Sequence, residues 1–125
     1  MCIRDRGIGF IGYGTLCGGI LSGKYKKAPN FRRADARNYF YKCYRGPAFE
    51  EANKTVLRVK NVAQELGVPP GAVAAAWALA TGATSVLLGA RKPEQVRQNV
   101  LGAEVLLSAQ QLLYLEGETC TCLMK

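Results

Sequence analysis

Apolar residues recur at steps of three and four between Phe49 and Leu66, at Phe49, Ala52, Val56, Val59, Ala63 and Leu66. That spacing predicts an amphipathic helix with one buried stripe, and Gly67 stands where its C-terminal stop is expected. Val68-Pro69-Pro70 then opens an alanine-rich helix over 71–80, with Val73, Ala74, Trp77 and Ala78 on one side. Small side chains there imply close packing against a neighbour, with Trp77 in the core. Gly82 ends this helix, and the apolar run Ala83-Thr84-Ser85-Val86-Leu87-Leu88 reads as a fully buried strand. Gly89 permits a close turn. Pro93 at a first helical position and Glu94 beside it predict a third helix, with Gly102 as its end. Ser108 and Gln111 give a capping-box signal for a last short helix. Near the start, Gly7–Tyr13 reads as a strand, with Ile8, Phe10 and Gly12 on one face and Gly9, Ile11 and Tyr13 on the other. The chain is therefore expected to be α/β, with two strands and about four helices.

Candidate chemistry lies in the segments that follow each strand. After the first, Gly14, Gly18, Gly19 and Gly23 fall within ten residues and Lys24 follows. Such a loop lets the backbone wrap a diphosphate while the lysine offsets its charge; the bland alternative is a glycine-rich turn kept for steric reasons. After the second strand comes a basic turn and a helix N-terminus, a geometry that holds an anion against free backbone N–H donors. Arg91, Gln95 and Asn99 are four residues apart, which places them near one helical face. A guanidinium beside two amides suits a phosphate next to an adenine edge. A surface turn with solvated charges is the competing reading.

These segments carry a resemblance. Gly89-Ala90-Arg91-Lys92-Pro93-Glu94-Gln95-Val96, with Asn99 three residues on, resembles the segment of aldo-keto reductases that follows the eighth strand of a (β/α)8 barrel. The resemblance implies that Arg91 meets the 2′-phosphate of NADPH, that Gln95 and Asn99 face its adenine, and that Gly89 and Ala90 offer backbone contacts. Leu16 to Tyr25 is similar to the family's loop after strand seven, which implies cofactor contacts from Leu16, Gly18, Gly19, Gly23 and Lys24. The chain departs from that pattern at Gly14 and Thr15, where the family usually has Ser and Pro. Gln64-Glu65-Leu66-Gly67-Val68-Pro69-Pro70 also resembles the family, and the likeness runs from Gly7 to Glu116, weakest from Ala28 to Ala48. What it implies overall is an NADP(H)-dependent, cytoplasmic oxidoreductase that reduces a small-molecule carbonyl, aldehyde or ketone, to an alcohol. A non-catalytic, regulatory or polyanion-binding relative is the alternative.

Length changes the picture. A (β/α)8 barrel needs about 250 residues, and this chain has 125. Residues 7–125 are accordingly expected to be the C-terminal part of one α/β barrel domain, incomplete in this chain, and the resemblance implies that its two strands are parallel. Met1-Cys2-Ile3-Arg4-Asp5-Arg6 has no periodicity, and its first five residues are what a transposase-end library adapter gives when translated in frame. Residues 1–6 therefore read as non-native, against the alternative of a charged native arm. The family's catalytic Asp, Tyr, Lys and His belong to the barrel's first half. This chain has no histidine, and its six tyrosines match none of the family's catalytic positions, so no catalytic residue is assigned.

Charge is concentrated. From Lys24 to Arg45 eight basic residues face only Asp35, while the rest of the chain is nearly balanced against a net charge of +8. Phe31, Tyr39, Phe40, Tyr41 and Tyr44 are interleaved with them. A solvated variable loop, a patch that attracts a dinucleotide and a single-strand nucleic-acid surface are the three readings, with nucleic acid the least favoured. Cys17 and Cys43 read as isolated thiols, and Cys120-Thr121-Cys122 lacks the two-residue spacing of a zinc motif; no metal site is expected. The longest apolar stretch, 72–80, is far short of the about 20 residues of a membrane span, and no membrane partner is expected. Two strands cannot close a barrel and leave apolar edges unpaired, so the isolated chain is predicted to aggregate or stay molten; a sharp cooperative thermal transition of the monomer would contradict this.

Overall fold

The computed structural model describes residues 5–117, so Met1–Arg4 of the adapter-like segment and Cys120-Thr121-Cys122 lie outside the described residues. Strand β1 (Ile11–Gly12) leads into a 3-10 segment, Cys17–Ser22, kinked where Gly18 and Gly19 leave the helical region. A four-residue helix α1 (Arg37–Phe40) and a 3-10 turn (Lys42–Tyr44) precede the long helix α2 (Gly46–Leu66). Helix α3 (Pro70–Ala80), strand β2 (Ser85–Val86), helix α4 (Pro93–Glu104) and helix α5 (Ala109–Glu116) complete the order. The strands pair in parallel, Ile11 with Ser85 and Gly12 with Val86. Beyond that register Phe10 C=O accepts from the Thr84 and Ser85 N–H groups, and Gly12 C=O from Leu87 N–H.

The core is built by α2. Phe49, Ala52, Val56, Val59 and Ala63 are buried as their spacing requires, joined by Thr55 and Val62, while Leu66 is exposed at the end of the stripe. Gly67 takes φ 67°, and Val68 N–H returns to Ala63 C=O at 3.0 Å. This left-handed close satisfies carbonyls that a helix end leaves without partners. Ile20 and Leu21 of the 3-10 segment, Cys43, Tyr44, Val73, Ala74 and Leu115 pack onto the same cluster. Trp77 is only partly buried at its edge, and its indole nitrogen has no hydrogen-bond partner.

Three expectations are corrected. The run 83–88 is not buried: Thr84, Ser85 and Leu87 are exposed, Leu87 by 57%. Gly7–Tyr13 likewise forms only a two-residue strand, with Ile11 60% and Tyr13 86% exposed. The side chains are those of an interior strand, but the described chain supplies nothing to cover them. Gly102 does not end α4, which continues to Glu104. It is buried against α3: a Cβ there would lie 2.6 Å from Ala75 Cβ and 3.1 Å from Ala72 C=O. The glycine is a packing device that lets two helices touch backbone to backbone.

In the full-length protein, Gly102→Val should therefore destabilise the fold by about 1–3 kcal/mol through overpacking, read as a lower midpoint in urea by circular dichroism. Gln98→Ala, on the exposed face of α4, should stay within about 0.5 kcal/mol of the parent. Equal midpoints for both variants would show that α3 and α4 do not close.

Candidate functional site

Because β1 and β2 are parallel and in register, the segments that follow them leave the sheet at the same end. In α/β folds that end is where loops gather to bind ligands. The first segment is shaped by left-handed backbone: Gly14 φ 70°, Cys17 φ 48°, Gly18 φ 68° and Gly19 φ 100°. Leu16 C=O receives Gly19 and Leu21 N–H, and Gly23, itself left-handed, closes on Ile20 C=O at 3.0 Å. The Lys24 ammonium folds back over this turn, 3.5 Å from the point where a Cβ of Gly19 would stand and 4.9 Å from the Tyr25 ring centroid. A side chain at position 19 would fill the space beneath that ammonium. Thr15 Oγ1 is buried and has no hydrogen-bond partner among the described residues.

The second segment holds itself together differently from the expected arrangement. Gln95 Oε1 accepts from Arg91 N–H at 2.7 Å and Lys92 N–H at 3.1 Å, capping α4 with half of a capping box. Two donors expected to be free for an anion are therefore already used. Asn99 Nδ2 donates to Gly89 C=O at 3.4 Å and braces the turn. Arg91 precedes the helix, which starts at Pro93, so it does not share a helical face with Gln95 and Asn99. Its side chain is exposed, as are Gly89 and Ala90. An apolar groove of about 510 Å³ between α3, β2 and α4 takes in Ala90 and Asn99 alone of the candidate residues.

The basic segment is ordered, which the sequence does not foretell. Tyr25, Phe31 and Tyr44 meet edge to face, with centroids 4.9 to 5.9 Å apart. Arg37 lies over Phe31 at 3.9 Å, donates to Tyr25 Oη at 2.8 Å, and holds Asp35 through Nε and Nη2 at 2.9 and 2.6 Å. Such mutual stacking removes Tyr25, Phe31 and Tyr44 from any role as base-stacking platforms; Tyr39 and Phe40 remain exposed. The segment is seated on the glycine-rich turn. Tyr44 Oη donates to Gly18 C=O at 3.0 Å, and the Tyr41 ring would lie 3.0 Å from a Cβ at Gly18. Cys17 and Cys43, read as isolated, stand 3.7 Å apart, sulfur to sulfur. No periodicity or spacing signals that meeting.

Hydrogen bonds from the Arg37 side chain and backbone hold the Asp35 carboxyl down at about 2, with Arg91 adding a smaller pull of the same sign. Arg91 is thus within electrostatic reach of the basic segment, where Asp35 is already paired with Arg37. Lys24, Arg91 and Lys92 are all exposed, on the two segments that leave the sheet at one end. Among the described residues no group of three or more His, Cys, Asp or Glu is placed to hold a metal, and no helix is long and apolar enough to cross a membrane.

The sequence profile of the Aldo/keto reductase family matches residues 1–117. Among curated relatives, an aldo-keto reductase of Strobilurus tenacellus is 27% identical over 110 residues, 87% of this chain and 32% of its own length. A probable voltage-gated potassium channel subunit beta of Arabidopsis thaliana is 30% identical over 105 residues, 82% of this chain and 32% of that protein. An uncharacterized oxidoreductase of Bacillus subtilis (strain 168) is 30% identical over 110 residues, 87% and 31%. The solved glycerol dehydrogenase of Gluconobacter oxydans superposes with a TM-score of 0.80 at 27% identity, over 91% of this chain and 35% of that one. The chain spans about a third of the length of the relatives it matches.

Asp35 has its pKa lowered on folding, so its contribution to order is complete above the unfolded value of about 3.9 and disappears as pH falls through about 2. In the full-length protein, near-ultraviolet circular dichroism of the tyrosine cluster should fade across that window. Asp35→Asn, which cannot titrate, should remove that acid transition; its persistence would assign it to other carboxylates. The two parallel strands, their flanking helices and the family match identify the chain as a member of the Aldo/keto reductase family that forms part of an unclosed (β/α)8 barrel.

Proposed function

We propose that residues 7–125 are the C-terminal, cofactor-holding part of a single-domain, cytoplasmic NADPH-dependent oxidoreductase that reduces a small aldehyde or ketone to an alcohol. The observation that carries this reading is the parallel register, which sends the left-handed glycine turn with its own ammonium and the segment bearing the exposed Arg91 from the same end of the sheet. A diphosphate fits the first segment: Leu16, Gly18, Gly19 and Gly23 keep the backbone open, and Lys24 supplies charge. The 2′-phosphate is assigned to Arg91, whose planar fork suits a phosphate. Gln95 and Asn99 serve the adenine side chiefly by fixing the turn, with Gly89 and Ala90 presenting backbone. When bound, the nicotinamide supplies hydride; this chain's residues bind and orient the dinucleotide. Donors for the carbonyl are assigned to the remainder of the barrel, so this chain alone is assigned no turnover.

The similarity to a probable channel beta subunit favours a second reading, a relative that binds the dinucleotide in a regulatory role. Recovery of the upstream sequence separates the two, since the first half either carries the Tyr and Lys of a reductase or lacks them.

In the full-length protein, Arg91→Ala should weaken NADPH by about 1–3 kcal/mol, the scale of one charge-assisted hydrogen bond, and leave NADH nearly unchanged by calorimetry. Equal losses for both dinucleotides would remove Arg91 from the 2′-phosphate.

A further inference from the structure

Two thiols separated by 26 positions meet where the basic segment rests on the glycine-rich turn, with Cys17 Sγ 3.7 Å from Cys43 Sγ. Cys43 is buried, 2% exposed, whereas Cys17 is only partly covered. Cys17 holds φ 48°, in the left-handed region that side-chain-bearing residues seldom adopt. The turn therefore sets its orientation, and the flanking left-handed Gly18 and Gly19 hold the turn. The opposite wall is equally fixed. Tyr44, next in sequence to Cys43, is bonded to Gly18 C=O, next in sequence to Cys17, and the Tyr41 ring covers Gly18. The sulfurs thus face each other through contacts that do not involve sulfur. A disulfide bond is about 2.05 Å long, so roughly 1.7 Å remains to be closed between the sulfurs.

We propose that Cys17 and Cys43 form a reversible intramolecular disulfide on exposure to a peroxide, fastening the glycine-rich turn to the basic segment. Cys17, the accessible thiol, attacks one peroxide oxygen. The O–O bond breaks, one water leaves with the thiol proton, and Cys17 becomes a sulfenic acid. Cys43 then attacks that sulfur; the S–O bond breaks and its proton leaves with the hydroxyl as a second water. Two thiols lose two electrons and one peroxide becomes two waters. Cys43 is suited to this resolving step by position, since its sulfur is buried and already stands 3.7 Å from that of Cys17. Closure would press Tyr41 and Tyr44 onto Gly18 and Gly19, and its effect on cofactor binding rests on the dinucleotide role proposed above.

The test exposes the full-length protein to a small excess of hydrogen peroxide, alkylates remaining thiols, and maps digested peptides without reduction. The expected product joins the Cys17 and Cys43 peptides, two hydrogens lighter than their sum, and dithiothreitol reverses it. Cys43→Ser should leave Cys17 as a sulfenic acid captured by dimedone, and Cys17→Ser should abolish the linkage. The linked wild-type peptide is decisive by itself, so a misfolded variant does not blur the result. Linkage of either residue to Cys120 or Cys122 instead, or survival of both as thiols while other cysteines oxidise, overturns the proposal. NADPH titration of reduced and oxidised protein should differ by roughly tenfold or more, the scale of common couplings. Linkage with no dinucleotide binding in either state would sink the cofactor reading and leave the thiol pair standing.

Discussion

Parallel pairing of β1 with β2 is the constraint from which the site follows. Phe10 C=O receives two N–H groups from Thr84 and Ser85, Gly12 C=O receives Leu87, and Phe10 N–H is bonded to the Thr84 hydroxyl at 2.9 Å. An antiparallel pair would send the two following segments to opposite ends of the sheet. Here Gly14–Lys24 and Gly89–Lys92 leave together, although the two strands lie 74 positions apart. The long connection between them carries α2 and α3, which pack against each other.

Charge on this chain is arranged by aromatic packing. The basic segment carries +7, and like charges at that density favour an expanded chain. The Tyr25–Phe31–Tyr44 cluster opposes expansion, and Arg37 serves both sides by covering Phe31 while neutralising Asp35. Cations not used in this way stay exposed, where they raise the local potential for an anion. The same residues that make the segment look like a polyanion binder in sequence thus give it a folded seat on the glycine-rich turn.

The helices were legible because each carries its own punctuation. The three- and four-residue steps from Phe49, the left-handed stop at Gly67, Pro93 at the start of α4 and the Ser108–Gln111 box all act within a few residues of one another. The strands were legible in type and direction, but burial depends on neighbours, and Leu87 is apolar and exposed for that reason. Gly102 misled because a helix stop and a helix contact ask for the same residue; only the position of Ala72 and Ala75 tells them apart. In the site, the glycines, Lys24 and Arg91 could be picked out as residue types suited to phosphate. The capping by Gln95, the stacking around Arg37 and the meeting of Cys17 with Cys43 depend on side-chain directions across 3 to 26 residues, which spacing does not encode.

Burial pushes the Tyr44 phenol upward, so it keeps its proton and goes on donating to Gly18 in mild alkali. Its contribution is complete below about pH 10 and declines only as pH climbs toward the raised folded value. Asp35 gives way at the opposite extreme, in strong acid. Neither fastening titrates anywhere near neutrality. Apart from the thiol pair, a change in the affinity of this chain's segments for a phosphate monoester between pH 5 and 8 would thus report protonation of that anion, whose second pKa is about 6.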